Sequence, residues 1–347
     1  MKKIILIIAI SLFALAGIGV LVAWGYYNKG IAPVSEESKE VVFVVESGQT
    51  GNDVLYNLNQ AGLVRNITCG KIYMKLNKIG NFQANSYLLN QNMSLSKIFS
   101  IMENPTDEYV MKFSVTILDG YSLSEISEAI ATPLQIEKTE VMELLNDEEF
   151  LDSLIEKYWF ITDEILEEGI KYPLEGYLYP ETYLFNNNVT LETVIYASLD
   201  MMDEYLTSVK DSIDAMGFSV HEFLTFASIV ERESLHDVDR PKIAGVFWNR
   251  LEKDMFLQSD ITVNYAWERT GVDVTYAHLE IDSPYNTYKY AGLPIGPIST
   301  VSAITMNACV EYEENDYLYF FAKEDGTVIY SRTLSEHNAA AQKYNWY

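Results

Sequence analysis

Cysteine, basic residues and internal repeats are all scarce in this chain, and each scarcity removes a class of protein. Two cysteines occur among 347 residues, Cys69 and Cys309, 240 positions apart with no CxxC and no neighbouring histidine. That spacing excludes a zinc site and a disulfide scaffold, and both thiols are expected to be buried. Lys and Arg total 24 against 50 Asp and Glu, a formal charge of -26. So negative a surface repels phosphate backbones, which excludes nucleic acid as a partner. There is no repeat and no low-complexity tract, whereas 48% of the residues are apolar. That is too many for a disordered chain and enough for roughly two or three modules of about 100–200 residues.

One long uncharged run is present. Lys2 and Lys3 precede Ile4–Trp24, about 21 residues, close to the roughly 20 that cross a bilayer core as a helix. A signal peptide has a shorter apolar core and a small-residue cleavage site. Here the run continues through Leu21, Val22 and Ala23 into Trp24, Tyr26 and Tyr27, an interfacial aromatic belt. The reading is an uncleaved anchor over residues 4–24, with a cytoplasmic stub at residues 1–3 and everything after Tyr27 on the outer face. The substrate is then extracytoplasmic.

Residues 25–40, polar from Asn28 onward with Gly, Pro and Ser, read as a linker. Val41–Val45 has strand composition, Ser47-Gly48 turns the chain, and Val54, Leu55, Leu58 and Leu63 mark an amphipathic helix. Ser86–Leu89 and a helix near Leu95–Met102 complete a small mixed α/β unit over residues 41–104. A strand over Lys112–Leu118 then ends at Asp119-Gly120, and Ser122 with Glu125 forms a capping-box signature. Residues 101–170 hold 18 acidic and 3 basic residues, a net of 3 − 18 = -15. Leu, Ile and Met recur there at helical spacing, so residues 105–170 read as an acidic connecting region of solvated helix faces, followed by a mixed α+β domain over residues 171–347.

The chemistry concentrates after Ser219. Ser219 and Glu222 open a helix expected to run to about Ser234. With about 100° per residue from Phe226, Val230 falls near about 40°, Phe223 about 60°, Ile229 about −60° and Glu233 about −20°, while Glu231 lies round at about 140°. Glu233 thus sits on the apolar stripe, at the negative end of a helix, where two effects raise a carboxyl pKa toward that of a general acid. The competing reading is an ion pair between Glu233 and an arginine such as Arg250. LQSD (residues 257–260), SPYNTY (283–288), GLPIGPI (292–298) and EHN (336–338) place amides, hydroxyls and carboxylates beside Gly, Pro or aromatic residues. Such loops suit an open sugar-binding cleft, although each alone is compatible with an ordinary turn.

The order EGYLYPETY (175–183), ASIVERES (227–234), AGVFWNRL (244–251), MFLQSD (255–260), SPYNTY, GLPIGPI and YLYFFAKEDGTVIYSRTLSEHN (317–338) resembles that of the MltG-like (YceG-like) endolytic murein transglycosylases. VESGQT (45–50) and NSYLLNQNMSLSKI (85–98) resemble the family's LysM-like subdomain. The resemblance implies an α+β, membrane-anchored protein with a small LysM-like α/β module followed by a mixed α+β catalytic domain. It implies Glu233 as catalytic acid, with Glu175, Gln258, Asp260, Tyr285, Asn286, Tyr288, Glu336, His337 and Asn338 lining the cleft. Ile261, Ile295, Thr300-Val301-Ser302 and Asn85 depart from the family's usual residues and alter loop rigidity.

The resemblance further implies cleavage of the MurNAc-GlcNAc bond within peptidoglycan strands. Glu233 protonates the leaving oxygen and then deprotonates the C6 hydroxyl, leaving 1,6-anhydroMurNAc ends with no cofactor, metal or water consumed. Penicillin-binding protein synthases are the implied partners, and limiting nascent strand length the implied role. Two alternatives stay open from the residues: a hydrolase in which Glu231, Asp260 or Asp282 activates water, and a non-catalytic glycan-binding scaffold. Glu231 is the least favoured of these bases because residues two apart on a helix point apart.

Overall fold

The computed structural model describes residues 2–268 and 274–344, with side chains from residue 11 onward. It divides into two compact units, residues 1–114 with 184–189, and residues 115–183 with 190–347. The architecture is mixed α+β: helices dominate, and among the described residues the strands form three two-stranded sheets.

The first unit contains α1 (Lys2–Ile31), β1 (Glu40–Val45), α2 (Gly51–Gln60), α3 (Ile67–Asn77), β2 (Asn85–Asn90) and α4 (Leu95–Glu103). Strands β1 and β2 pair antiparallel from Glu40↔Asn90 to Val45↔Asn85. Their inward residues Phe43, Val45, Tyr87 and Leu89 pack with Val54, Leu55, Leu58, Ile98 and Phe99 in one core. Helices α2, α3 and α4 each start on a side-chain cap: Thr50 with Asp53, Asn66 accepting from the Cys69 N–H, and Ser94 accepting from the Lys97 N–H. The positions of β1, β2, α2 and α4 match the pattern read over residues 41–104, while α3 lies in a stretch for which the sequence reading named no element.

The segment expected to be a linker behaves differently. Helix α1 is 30 residues long, about 45 Å at 1.5 Å per residue, and its Ser11–Ile31 stretch is long and apolar enough to cross a membrane. It continues without a break through residues 25–31 because they pack on α3. A Cβ at Gly30 would lie 2.5 Å from Cys69 Sγ, so only glycine fits. Asn66 Nδ2 donates to the Tyr26 hydroxyl at 2.7 Å. Beyond the helix, Arg65 donates to the carbonyls of Pro33 (2.5 Å) and Val34 (2.7 Å). Polar, glycine-containing sequence suggested a free linker; tertiary contacts override that propensity.

Strands β3 (Phe113–Thr116) and β4 (Thr182–Phe185) pair with each other, and β3 is shorter at both ends than the expected strand. The second unit continues with α5 (Leu123–Leu134), α6 (Lys138–Leu145) and α7 (Glu148–Lys157). These three helices occupy the middle of the acidic stretch. They bury Leu123, Ile126, Ile130, Val141, Leu145, Leu151 and Leu154 while their carboxylates face solvent, and the Ser122–Glu125 capping box is formed.

Helix α8 (Leu191–Met216) ends at Gly217, whose φ of 76° is the left-handed conformation that glycine adopts freely. The chain turns 95° into α9 (Val220–Glu233), which begins on the Ser219–Glu222 capping box. Helices α10 (Arg240–Leu251), α11 (Asp260–Ala266) and α12 (Ala303–Val310) pack around α9, and an antiparallel hairpin of β5 (Tyr319–Ala322) and β6 (Val328–Ser331) leads into α13 (Leu334–Lys343). Both cysteines are buried free thiols, as expected.

Candidate catalytic site around Glu233

Helix α9 is enclosed on nearly every side: His221 and all residues from Phe223 to Glu231 are buried. The stripe that sequence periodicity draws along one face is therefore a full jacket, and the contrast between Glu231 and Glu233 is not one of outside against inside. Partners separate them instead. Glu231 Oε1 pairs with Arg240 Nη1 at 2.9 Å. Its Oε2 accepts from Ser302 N (2.9 Å), Ser302 Oγ (2.7 Å) and Thr305 Oγ1 (2.6 Å). Both oxygens of this carboxylate are thus engaged by the structure. Ser302, part of the Thr300-Val301-Ser302 departure, also caps α12.

Among the described residues, Glu233, the last residue of α9, has one hydrogen-bond donor: Ser259 Oγ, 2.6 Å from Oε1. Burial pushes its carboxyl up to about 6; the Ser259 bond opposes the rise, the charge of Asp260 adds to it, and Arg250 opposes it. Arg250 does not form the ion pair considered from the sequence. Its Nε donates to Leu318 O (2.6 Å) and its Nη1 to Leu257 O (2.8 Å) and Phe256 O (3.3 Å). The guanidinium therefore braces the 256–257 loop and acts on Glu233 only through its field.

Ser259 was missed as a site residue although it lies inside the LQSD motif. Exposure alternates there, with Leu257 and Ser259 buried and Gln258 and Asp260 exposed. Gln258 has a φ of 48°, a left-handed backbone that costs a non-glycine residue roughly 1 kcal/mol or more. Two bonds to Thr287 hold the strain, Gln258 N to Thr287 O (3.1 Å) and Ser259 N to Thr287 Oγ1 (3.0 Å). The tight turn aims Ser259 inward at Glu233 and leaves Gln258 and Asp260 facing out. The sequence showed a polar loop there but not the inward aim of its serine.

The other expected residues divide into two groups. Tyr288 donates to Asp260 Oδ1 at 2.5 Å, tying SPYNTY to LQSD. His337 packs at 5.5 Å from the rings of both Tyr319 and Phe321, and burial, then the charge of Arg250, lowers its pKa. Arg250 also stacks over Tyr319 at 5.0 Å, which brings α10, β5 and α13 together. Glu336 and Asn338 are exposed on α13; Glu336 accepts from Arg332 N at 2.9 Å at the start of that helix.

Glu175, Tyr285 and Asn286 lie deep. Asn286 is fully buried, donating to Leu279 O and Ile281 O and accepting from Tyr288 N. The Tyr285 hydroxyl accepts from Lys171 N at 3.3 Å, and burial pushes it up to about 12. Glu175 is 1% exposed, accepting from Leu123 N (2.8 Å) and the Tyr265 hydroxyl (3.0 Å). Burial pushes Glu175 up to about 8. Asp282, one of the alternative bases, is exposed and accepts from Tyr290 at 2.7 Å on the rim of an open depression of about 470 Å³.

Comparison with known proteins agrees with the chain order of these motifs. The chain is 37% identical over 325 residues to the endolytic murein transglycosylase of Bacillus subtilis (strain 168), covering 93% of this chain and 90% of that protein. It is 32% identical over 343 residues to the endolytic murein transglycosylase of Streptococcus pneumoniae serotype 2, covering 94% of this chain but 62% of that longer protein. A crystal structure of a yceG-like protein from Listeria monocytogenes superposes with a TM-score of 0.64 at 38% identity, covering 88% of this chain and all of the other. The family model described as YceG-like matches residues 43–343, and the chain belongs to that family.

Proposed function

We propose that this protein is a membrane-anchored endolytic murein transglycosylase with Glu233 as its acid. Relatives bearing that name match nearly the whole chain. The observation that carries the reading is the state of Glu233: a carboxyl pushed up to about 6 whose Oε1 is occupied by Ser259. The proton is then left to Oε2. Oε2–H protonates the glycosidic oxygen leaving C1 of MurNAc. The resulting carboxylate takes the proton from that sugar's C6 hydroxyl as its oxygen closes on C1, and the acid is regenerated. A nucleophile already tethered to the substrate makes the closure unimolecular, so no second nucleophilic carboxylate is required.

Gln258, Asp260, Tyr288, Glu336, His337 and Asn338 are placed to face the glycan. Glu175, Tyr285 and Asn286 act through the loops they hold. Residues 171–347 form the catalytic domain, residues 105–170 its acidic connector, and residues 41–104 a LysM-like module, supported by the β–α–α–β order with antiparallel strands. Residues 4–24 span the membrane with residues 1–3 in the cytoplasm, and penicillin-binding synthases are the partners.

Digestion of peptidoglycan in H₂¹⁸O tests the reaction. Unlabelled anhydro-ended fragments of many lengths are expected; label at a reducing end makes the enzyme a hydrolase with Asp260 or Asp282 as the base, and release of disaccharides alone makes it exolytic. Because Glu233 must enter the cycle protonated, the rate is expected to fall as pH rises through about 6, with about a tenth of molecules protonated at pH 7. Topology has its own test. Protease added to intact spheroplasts is expected to degrade the folded part, and full protection would reverse the orientation.

A further inference from the structure

The charge of this chain is distributed unevenly in a way that the reaction does not use. Between Asp53 and Glu103 there is no acidic residue, while Arg65, Lys71, Lys75, Lys78 and Lys97 all fall there, in a chain of formal charge -26. Three of those lysines belong to α3 or its C-cap, Lys78. All three are exposed, and between them α3 exposes Ile72 (45%) and Leu76 (70%). At about 100° per residue Lys71, Lys75, Ile72 and Leu76 share one arc of roughly 140°. The neighbouring arc carries Cys69 and Tyr73, and Cys69 meets α1 at Gly30.

The position of that contact fixes how high α3 stands. Tyr26 and Gly30 are the α1 residues that touch Asn66 and Cys69. They lie two and six residues beyond Trp24, about 3 and 9 Å along a helix, the depth of lipid headgroups rather than of bulk water. Since α1 is unbroken to Ile31 and Arg65 pins Pro33 and Val34, the first unit cannot rise away from the bilayer on a tether. A basic, partly apolar helix face held at that height has the chemistry of an interfacial helix.

We propose that the exposed face of α3 is a lipid-binding surface, in which Lys71, Lys75 and Lys78 engage anionic phospholipid headgroups and Ile72 and Leu76 enter the interface beside the anchor. The surface selects anionic over zwitterionic lipid around the anchor and keeps the first unit flat on the membrane. Each lysine near such a surface is worth about fivefold in local preference. The remainder of this acidic chain is repelled by the same lipids, so the orientation is enforced from both sides.

Full-length protein in nanodiscs of equal parts phosphatidylcholine and phosphatidylglycerol, carrying a bimane on Leu76→Cys so that an apolar group remains, provides the test. Nitroxide is placed on one lipid class at a time, and protein without the added cysteine controls for labelling of Cys69 and Cys309. Quenching by nitroxide phosphatidylglycerol is expected to exceed that by nitroxide phosphatidylcholine several-fold. The excess should disappear in high salt and in the Lys71→Gln, Lys75→Gln, Lys78→Gln variant, with far-ultraviolet circular dichroism unchanged. Equal quenching by both lipids removes the headgroup preference, and quenching by neither shows that an acidic protein or wall polymer covers this face instead. Neither outcome depends on whether the protein cleaves glycan.

Discussion

Glu233→Gln is expected to lower peptidoglycan cleavage by about 10²–10⁴-fold, the usual contribution of a positioned acid, with no loss of fold. The amide keeps the shape of the side chain and can still accept from Ser259 at Oε1, but it has no proton to give. Stability should move the other way. A carboxyl raised to about 6 in the folded chain binds a proton that the unfolded chain, with an ordinary value near 4.5, has already lost. Stability therefore falls as pH rises between those two values and stays lower by about 2 kcal/mol above them. Glutamine is free of that penalty, so at pH 7 the variant should melt no lower than the parent. Turnover within a few-fold of the parent would remove Glu233 from the role of acid, whatever the melting temperature.

Arg240→Met is expected to destabilise the second unit by about 3–5 kcal/mol, the penalty for stripping one partner from a buried ion pair. Arg240 and Glu231 have side chains only 11% and 5% exposed, and Arg240 also donates to Thr305 Oγ1 and to Asp237 Oδ1. Without the guanidinium, Glu231 retains three donors but loses its counter-charge, in the layer where α9, α10 and α12 meet. Urea denaturation at pH 7 measures the loss. Adding Glu231→Gln should recover part of it, since the orphaned charge goes with it. A loss below about 1 kcal/mol would show that the pair is solvated.

These two glutamates also mark the limit of sequence reasoning. Periodicity located the helix, its capping box and its last residue, because those depend on local backbone chemistry within a few positions. It selected Glu233 by assuming one buried face, an assumption that fails for α9 because α10, α11 and α12 surround it. What distinguishes Glu231 from Glu233 is supplied by Ser302, Thr305 and Arg240 on one side and Ser259 on the other, and no pattern within the helix encodes those partners. The first part of the expected linker, residues 25–31, is helical for a related reason. Its composition is that of a free segment, but Cys69, Asn66 and Arg65 are spaced to receive it. Conversely, both strands of residues 41–104 and the helices α2 and α4 were legible, since short elements with strong alternation and caps leave tertiary packing little to decide, whereas α3 was not read from the sequence.

The bonds around the acid span long stretches of sequence. Ser259 is 26 positions from Glu233, and Thr287 is 28 positions beyond Ser259. Ser302 reaches back 71 positions to Glu231, Arg232 donates to Gly120 across 112, and Thr300 donates to Leu118 across 182. Closing such loops is entropically the slow part of folding. A nascent chain that has emerged only as far as α11 already carries its glutamate, yet Thr287 and the α12 cap are missing. The Gln258 turn then has nothing to hold its strain, and nothing fixes Ser259 against the carboxyl. The surroundings of Glu233 are thus complete only once the last quarter of the chain has folded onto α9.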